Sequence, residues 1–453
     1  MKPIDRKWWV LAAIGSGTFM SALDASVVNT ILPVVQNAFH SSVTTIEWVV
    51  TIYLLVLSSL LLTFGRLGDL RGHKSVSIYG FAIFIFGSAL SGLSPSAGTL
   101  ILFRGLQALG AAMLASNSPA ILTKNFPASK RGQALGLSAT MTYLGLTVGP
   151  SLGGWLAQQF SWRAVFYINV PIGALALGLS LYFVPSDSPV EIYPNFDLTG
   201  AFTFMAGLIT LLLGLNQGSE WGWTSIPIIA LFVGAMILLT FFVLIERHSP
   251  DPMLDLKLFR NPLFTASTVN AVFNYICLYS IVFLMPFYLI QGRSLNPAQA
   301  GLLLTAQPIV MAIVTPISGT LSDRIGSRLP GMIGMAVLGF GLYLLSHLDH
   351  ATPLWVATLG LAVSGLGIGI FISPNSSALM GSAPSHQQGI ASGILASGRN
   401  VGMMLGIGLS GAILSSRLSS GSPVDLFPGV REGFIAAIGI AFLGVIASAI
   451  KDG

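Results

Sequence analysis

Long apolar runs separated by short polar gaps repeat along the whole chain. Each run is about 20 residues long, enough for an α-helix to cross a hydrocarbon core of about 30 Å. No gap exceeds about 20 residues, so there is no room for a soluble catalytic or ligand-binding domain. We predict fourteen spanning helices, at residues 8–35, 47–65, 75–93, 99–122, 132–157, 163–184, 199–217, 225–245, 263–290, 299–321, 330–347, 353–378, 388–412 and 431–450.

The composition excludes a soluble protein. Hydrophobic residues make up 53% of the 453 residues and charged residues 8%, whereas a soluble globular protein carries roughly 25% charged residues. The net charge of +5 does not indicate nucleic-acid binding, because the basic residues fall in short gaps and form no cluster with aromatics. The single cysteine, Cys277, lies in an apolar run and is expected to be a buried hydrophobe. No cluster has metal-ligand spacing, so we predict no metal and no other cofactor.

The distribution of basic residues predicts the orientation. With the amino terminus inside, 15 of the 21 Lys and Arg residues lie in inner segments and four lie in outer segments. This excess of inner positive charge places both termini in the cytoplasm of a multi-pass plasma (inner) membrane protein. The first apolar run is too long for a secretory signal and contains an aspartate, so we expect an uncleaved first helix.

The chain contains an internal repeat. Five residues recur in register at an offset of 257: Pro127, Gly132, Gly136, Gly145 and Gly149 return as Pro384, Gly389, Gly393, Gly402 and Gly406. At an offset of 254, Gly65 and Asp69 return as Gly319 and Asp323. We therefore predict two homologous six-helix bundles, at 1–184 and 263–453, joined by two inserted helices with their inner loops at 185–262. Such halves are typical of secondary transporters that rock about a site near the membrane midplane.

Asp24 is the only one of the sixteen acids that lies well inside an apolar run. An intramembrane carboxylate costs on the order of 3 kcal/mol or more, so it is a candidate proton carrier or counter-ion for a cationic ligand. At 1.5 Å per residue, Arg104 and Asp24 lie about 8 Å and about 10 to 15 Å below the outer face. We expect the two to interact directly or through water. The alternatives are a purely structural ion pair and an Arg104 that snorkels to the interface.

A second polar group is predicted in the second half. Arg399 lies about 16 Å from the inner end of its helix, close to the midplane. With Asn400, Asn270, Asn274 and Gln307 it is a candidate wall of a substrate cavity. Asn and Gln in membrane helices also serve as hydrogen-bonding contacts between helices, and that alternative stays open.

The first inner loop holds a candidate conformational latch. Asp69 follows Gly65 and precedes Arg71, and the second half repeats this with Asp323 and Arg324. An anion here can pair with bases or with a helix amino terminus of the other half. A latch that breaks when the halves rock is the functional hypothesis, and a merely topological basic loop is the alternative.

The fifth predicted helix carries a small-residue pattern at Gly145, Gly149, Pro150, Gly153 and Gly154. Glycines spaced in this way allow close helix contact, while the proline removes one backbone donor. This pattern predicts a tightly packed or hinged helix pair.

These segments resemble the major facilitator superfamily, and within it the drug:proton antiporter branch with fourteen helices. The resemblance spans nearly the whole chain, and two positions depart from it: Leu70 replaces an Arg of motif A, and Ala108 replaces a Gly of motif B. Five segments carry it: LDASVVNTILP around Asp24, motif A at 65–74, motif B at 104–112, motif C at 145–154 and PMLDLKLFRNPLF at 252–264.

The resemblance implies an all-α polytopic fold of two six-helix bundles plus two inserted helices. It implies that Asp24 and Arg104 serve proton coupling or substrate binding, Asp69 the latch, and motif C the packing specific to antiporters. The change at Leu70 would weaken the latch, with Arg71 as a replacement.

We expect a proton-coupled antiporter that exports amphipathic or lipophilic, cationic drugs as a monomer, with the proton gradient as its energy source. A dedicated metabolite exporter or a proton symporter of the same fold is the alternative, with Arg104 and Arg399 receiving an anionic substrate. A membrane enzyme is disfavoured because the histidines, such as His40 and His73, are scattered through predicted loops. A channel is also disfavoured, because it would be expected to repeat charged or carbonyl-lined rings and neither half of the sequence shows one.

Trp221 and Trp223 lie in a predicted outer loop, and we expect them to anchor that loop at the membrane interface.

Overall fold

A computed structural model describes residues 5–41, 43–186, 197–249, 252, 254–295, 297–418 and 426–450. The first helix group comprises α1 (Arg6–Phe39), α2 (Val43–Arg71), α3 (His73–Leu93), α4 (Ala97–Asn125), α5 (Arg131–Gln159), α6 (Ala164–Tyr167) and α7 (Asn169–Phe183). An inserted pair follows, α8 (Leu198–Trp221) and α9 (Ile226–His248). The second helix group comprises α10 (Pro262–Pro286), α11 (Pro297–Leu304), α12 (Ala306–Ile325), α13 (Arg328–Ser346), α14 (Leu354–Ser382), α15 (Gln388–Leu418) and α16 (Leu426–Ser448).

The predicted runs correspond to these helices, with two differences. The helices extend beyond the apolar runs, as in α1 and α2, because polar residues at the ends continue the same backbone hydrogen bonding. The sixth run is divided into α6 and α7, and the tenth into α11 and α12. Each of these pairs still forms one candidate membrane span.

Twelve helical segments in the described ranges are long and apolar enough to cross a membrane. The helices α5 and α15, of 29 and 31 residues, are long enough but are not among the twelve. Both are rich in glycine, serine and other polar residues, which lowers their hydropathy below that of a lipid-facing helix. Both also lie between other helices, where small residues favour close packing.

A one-residue corner joins α2 to α3. Gly72 has a φ of 90°, a backbone conformation that a side chain rarely allows, and lies between the last residue of α2 and the first residue of α3. The corner brings Asp69 and His73 onto one buried face at the predicted inner side of the membrane.

Each helix group packs around its own core. In the first group α1 packs on α5 and α7, and α4 packs on α2 and α3. In the second group α10 packs on α15 and α16, and α13 packs on α14 and α16. The inserted pair lies against α2 and α15 through α8, where Leu212 is buried in a cluster with Leu55 and Met404.

Two seams join the groups: α2 packs on α15, and α5 packs on α12. At the inner end of each seam, glycine meets glycine. A Cβ on Gly65 would collide with the carbonyl of Gly389, and a Cβ on Gly132 would collide with that of Gly319. The backbones therefore touch, and the predicted inner side is closed in this conformation.

Candidate functional site

The glycines of α5 set the position of α1. A Cβ on Gly145 would lie 2.7 Å from the carbonyl oxygen of Phe19, and one on Gly149 would lie 2.5 Å from Ser26 Oγ. The hydroxyl of Ser26 donates to the Leu146 carbonyl at 3.0 Å. Because these contacts, at Phe19 and Ser26, lie on both sides of Asp24 along α1, α5 fixes the part of α1 that carries the buried acid. Gly153 also touches α1, at Val27, whereas Gly154 faces open space and Pro150 is exposed.

Asp24 and Arg104 form a buried ion pair. Both residues are 1% exposed, and Nη1 of Arg104 donates to Oδ2 of Asp24 at 2.6 Å. The other carboxylate oxygen accepts from Gln107 Nε2 at 3.0 Å and from Asn169 Nδ2 at 2.7 Å. The carboxylate thus has one charged donor and two neutral donors, from α4 and α7.

Arg104 is held from three sides. Besides Asp24, its guanidinium donates to Gln107 Oε1 at 2.7 Å and to the Val49 carbonyl of α2 at 3.3 Å. Its Cζ lies 4.2 Å from the centre of the Tyr53 ring, which gives a cation–π contact. This positioning excludes the snorkelling alternative, because the side chain points into the bundle.

Asn169 links the ion pair to α3. Its Nδ2 also donates to Ser88 Oγ at 3.0 Å, and Ser88 donates to the Phe166 carbonyl at 2.9 Å. A change in the charge of Asp24 would therefore alter hydrogen bonds that connect α1, α3, α4 and α7. Such a network can convert the binding of a proton or a ligand into a movement of helices.

The second group contains a cation of a different kind. Arg399 on α15 is half-buried, donates to Ser376 Oγ at 2.9 Å and lies 5.8 Å from the centre of the Tyr275 ring. Among the described residues no carboxylate pairs with it. Tyr143 of α5 packs in the same cluster as Tyr275, so Arg399 lies near the contact between the two groups.

The other residues predicted for this cavity wall are placed differently. Asn270 bonds Ser448 of α16 at 3.0 Å, and Asn274 donates to the Met335 sulfur of α13 at 3.6 Å. Both are contacts between helices of the second group, in line with the alternative left open for them. Gln307 is buried where its backbone packs on Gly365 of α14, and Asn400 is half-buried beside Arg399.

Two symmetric contacts, at the positions of the predicted latches, close the predicted inner side. Asp69 of α2 accepts from the backbone N–H groups of Gly389 and Ile390, at 2.8 and 2.9 Å, at the start of α15. Asp323 of α12 accepts from Gly132 and Gln133, at 2.8 and 3.0 Å, at the start of α5. Each aspartate holds the helix of the opposite group by its amino terminus, where the helix dipole favours an anion.

The basic residues predicted to complete the latches do not hold the aspartates. Arg71 and Arg324 are exposed, and the described partners of Asp69 are backbone N–H groups and His73. His73 therefore takes the position beside the aspartate that we had expected Arg71 to occupy. The prediction that His73 lies in a loop is wrong, since it is the first residue of α3 and is 1% exposed.

The outer loop between α8 and α9 also differs in part from its prediction. Trp221 is exposed, as an interfacial anchor requires. The ring of Trp223 instead packs over Gly218 and over Gly408 of α15. The loop is thus docked on the second helix group.

The chain was compared with known families, proteins and structures. The sequence profile described as Major Facilitator Superfamily matches residues 14–197, 198–407 and 267–451. The chain belongs to the Major Facilitator Superfamily. It is therefore a multi-pass membrane transporter, and the expected all-helical fold is confirmed by the structure.

Several members of the superfamily are similar over most of their length. The riboflavin transporter RibZ of Clostridioides difficile is 32% identical over 98% of this chain and 97% of its own. The multidrug resistance protein Stp of Mycobacterium tuberculosis is 34% identical, over 90% and 76%. The tetracenomycin C resistance and export protein of Streptomyces glaucescens is 30% identical, over 93% and 78%. The crystal structure of the human organic anion transporter MFSD10 (TETRAN) shares the fold, with a TM-score of 0.71, 16% identity and coverage of 99% and 100%.

Three polar partners in this superfamily member were not predicted from the sequence. Gln107 lies three residues after Arg104 and so shares its helix face, a signal that was available. Asn169 and Tyr53 are neutral and come from other helices, so nothing in their own segments indicated them. The sequence pattern places His73 only among the histidines of predicted loops, so its contact with Asp69 is a fourth feature that was not predicted.

Proposed function

We propose that this transporter is a proton-coupled antiporter that exports amphipathic compounds across the plasma (inner) membrane by alternating access. It acts as a monomer with fourteen spans, both termini in the cytoplasm, and units at 1–184, 185–262 and 263–453. The observation that carries this proposal is the buried Asp24 carboxylate with its donors Arg104, Gln107 and Asn169. The names of Stp and of the tetracenomycin exporter, which concern resistance and export, support the direction of transport.

Proton binding at Asp24 competes with Arg104. In the described conformation the carboxylate is buried and its two oxygens are occupied by three donors. A proton on Asp24 removes the counter-charge of Arg104, so the protonated and ion-paired states hold α1 and α4 differently. We propose that this difference couples proton movement to the conformational change.

The two latches supply the conformational element. Asp69 and Asp323 close the predicted inner side through helix amino termini of the opposite group. Loading from the cytoplasm requires both contacts to open, and release to the outside requires them to close. The close helix contact made by Gly145 and Gly149 keeps α1 and α5 together during this movement.

The test is efflux of fluorescent lipophilic cations and anions from proteoliposomes under an imposed pH gradient. We expect the native protein to use the pH gradient to move the dye across the membrane, and Asp24→Asn to lose this coupling. Asp5→Asn, the same chemical change at an exposed site beside the start of α1, is the matched control and should retain coupling. Coupled transport by Asp24→Asn at the native level would refute the role of Asp24.

Arg399 favours a second candidate, in which the substrate is one anionic metabolite. A half-buried guanidinium beside Tyr275 and Ser376, with no carboxylate partner among the described residues, suits an acidic group attached to a planar ring. The similar RibZ protein is named for transport of a single compound, riboflavin. This candidate keeps the fold and changes only the substrate.

The same dye panel distinguishes the two candidates. Arg399→Gln should abolish anion transport and leave cation transport unchanged if Arg399 is the substrate contact. Arg399→Lys keeps the charge and should retain part of the anion transport. Equal loss of both dye classes in Arg399→Gln would show that Arg399 has a structural role and would remove the second candidate.

A further inference from the structure

The latch at Asp69 contains a titratable group that the latch at Asp323 lacks. His73 is buried at the start of α3, and its Nε2 lies 3.4 Å from Oδ1 of Asp69. At the repeat offset of 254, the equivalent residue after Asp323 is Ser327, which does not titrate. Two contacts that are otherwise alike therefore differ in one imidazole.

Asn117 determines which ring nitrogen carries the first proton. The amide nitrogen of Asn117 donates to the carbonyls of Phe64 and Met113, at 3.1 and 2.9 Å, so its oxygen must face His73. That oxygen lies 2.7 Å from Nδ1 of His73, and an amide oxygen can only accept. Nδ1 is therefore the protonated nitrogen of the neutral ring.

Nε2 is then the ring nitrogen that can gain or lose a proton. In the neutral ring its lone pair lies 3.4 Å from Oδ1 of Asp69, and Nε2 has no hydrogen-bond partner among the described residues. When Nε2 is protonated, the ring carries a positive charge at ion-pair distance from that carboxylate. The geometry is thus unfavourable for the neutral ring and favourable for the cation.

We propose that Nε2 of His73 is a second proton-binding site of this transporter, which stabilises the closed inner latch when it is occupied. In the closed state Asp69 is desolvated and faces Nε2, whereas opening exposes both groups to water, which weakens their attraction. A proton binds more tightly to the state in which its site faces a buried carboxylate, so protonation shifts the population toward the closed state. This inference rests on the proposed alternating access, and not on Asp24 or on any substrate.

The surroundings of His73 permit this behaviour. The positive end of the α15 dipole lies nearby, because a Cβ on Gly389 would be 2.9 Å from the ring, but it amounts to about half a charge. Lys74 points away and donates to the Leu181 carbonyl. Among the described residues, Asp69 is the ion-pair partner of the ring, at 3.4 Å. At the ends of the surrounding helices that lie on the side of His73, the charged or titratable groups are Arg66, Asp69 and Arg71 on α2, Lys74 on α3, Lys124 on α4 and His386 in the turn before α15.

The experiment measures latch opening directly and without substrate. Ser129 and Ser385 are exposed in the turns that precede α5 and α15, one in each half. Spin labels at Ser129→Cys and Ser385→Cys, in a Cys277→Ala background, report the distance between the inner ends. The closed-to-open ratio should rise about tenfold when the pH is lowered from about 8 to about 5.5.

Matched variants assign the response to His73. In an Asp24→Asn background, where the first proposed proton site cannot contribute, His73→Gln should remove the pH response. His73→Arg should favour the closed state at every pH because its charge is permanent. His386→Gln, a neighbouring exposed histidine, and Asp24→Asn should both keep the response. A native protein without the response overturns the proposal, and so does a His73→Gln variant that retains the response in the Asp24→Asn background. Loss of the response in Asp24→Asn alone would also overturn it, since the proton would then act at the first site.

Discussion

Replacing both partners of the ion pair between Asp24 and Arg104 should cost less unfolding free energy than the sum of the two single replacements. Replacing Arg104 by Met leaves a carboxylate that is 1% exposed with only the neutral donors Gln107 and Asn169. Replacing Asp24 by Asn leaves a buried guanidinium without its counter-charge. In both single variants an uncompensated charge stays buried, whereas the double variant has none.

The contacts give the magnitude. Removing one partner of a buried ion pair typically costs about 3–5 kcal/mol, because several kcal/mol of desolvation is no longer offset. The two remaining amide hydrogen bonds to the Asp24 carboxylate, worth about 1.5–3 kcal/mol each, are already present in the native protein and do not replace the lost counter-charge. We expect each single variant to lose about 3–5 kcal/mol of unfolding free energy. The double variant should lose about 2–4 kcal/mol less than the sum of the two losses.

The assay is reversible unfolding of the purified protein in detergent, followed by tryptophan fluorescence at constant pH. The reasoning is refuted if the losses in the two single variants add to the loss in the double variant. It is equally refuted if Arg104→Met is as stable as the native protein at neutral pH.

Three further outcomes are expected. Asp69→Asn or Asp323→Asn weakens one of the two latches, so each should raise the open fraction about tenfold in the spin-label measurement, and the double variant should raise it further. Gly149→Ala places a Cβ 2.5 Å from Ser26 Oγ and should cost about 1–3 kcal/mol of unfolding free energy. Gly154→Ala meets nothing within 4 Å and should be neutral in the same assay. Asn169→Ala removes one donor from Asp24 and should shift the pH dependence of efflux while leaving the latch distances unchanged.

The residues predicted best from sequence were those whose desolvation cost or repeat position can be recognised without knowing how the helices pack. A carboxylate within an apolar run is expensive wherever it lies, and helix rise was enough to place Arg104 at a similar depth. The repeat of Gly65 and Asp69 as Gly319 and Asp323 likewise predicted a paired contact, and the structure shows both aspartates on helix amino termini.

Neutral side chains on other helices gave no such signal in the sequence. Asn169 resembles any amide in a membrane helix until α7 is packed against α1, and only the packed structure separates it from Asn270 and Asn274, which serve other contacts. His73 was hidden for a different reason. Its segment is rich in charge and reads as a loop, because a corner of one glycine between two helices has no hydropathy signature.

The inserted pair changes the surroundings of one seam but not of the other. Along the seam of α2 and α15, α8 packs against both helices and replaces lipid with protein. Along the seam of α5 and α12, apolar side chains such as Val148 and Ile313 remain exposed. Two contacts that descend from one repeat therefore have different surroundings: protein covers the seam of α2 and α15, and the seam of α5 and α12 leaves apolar side chains exposed.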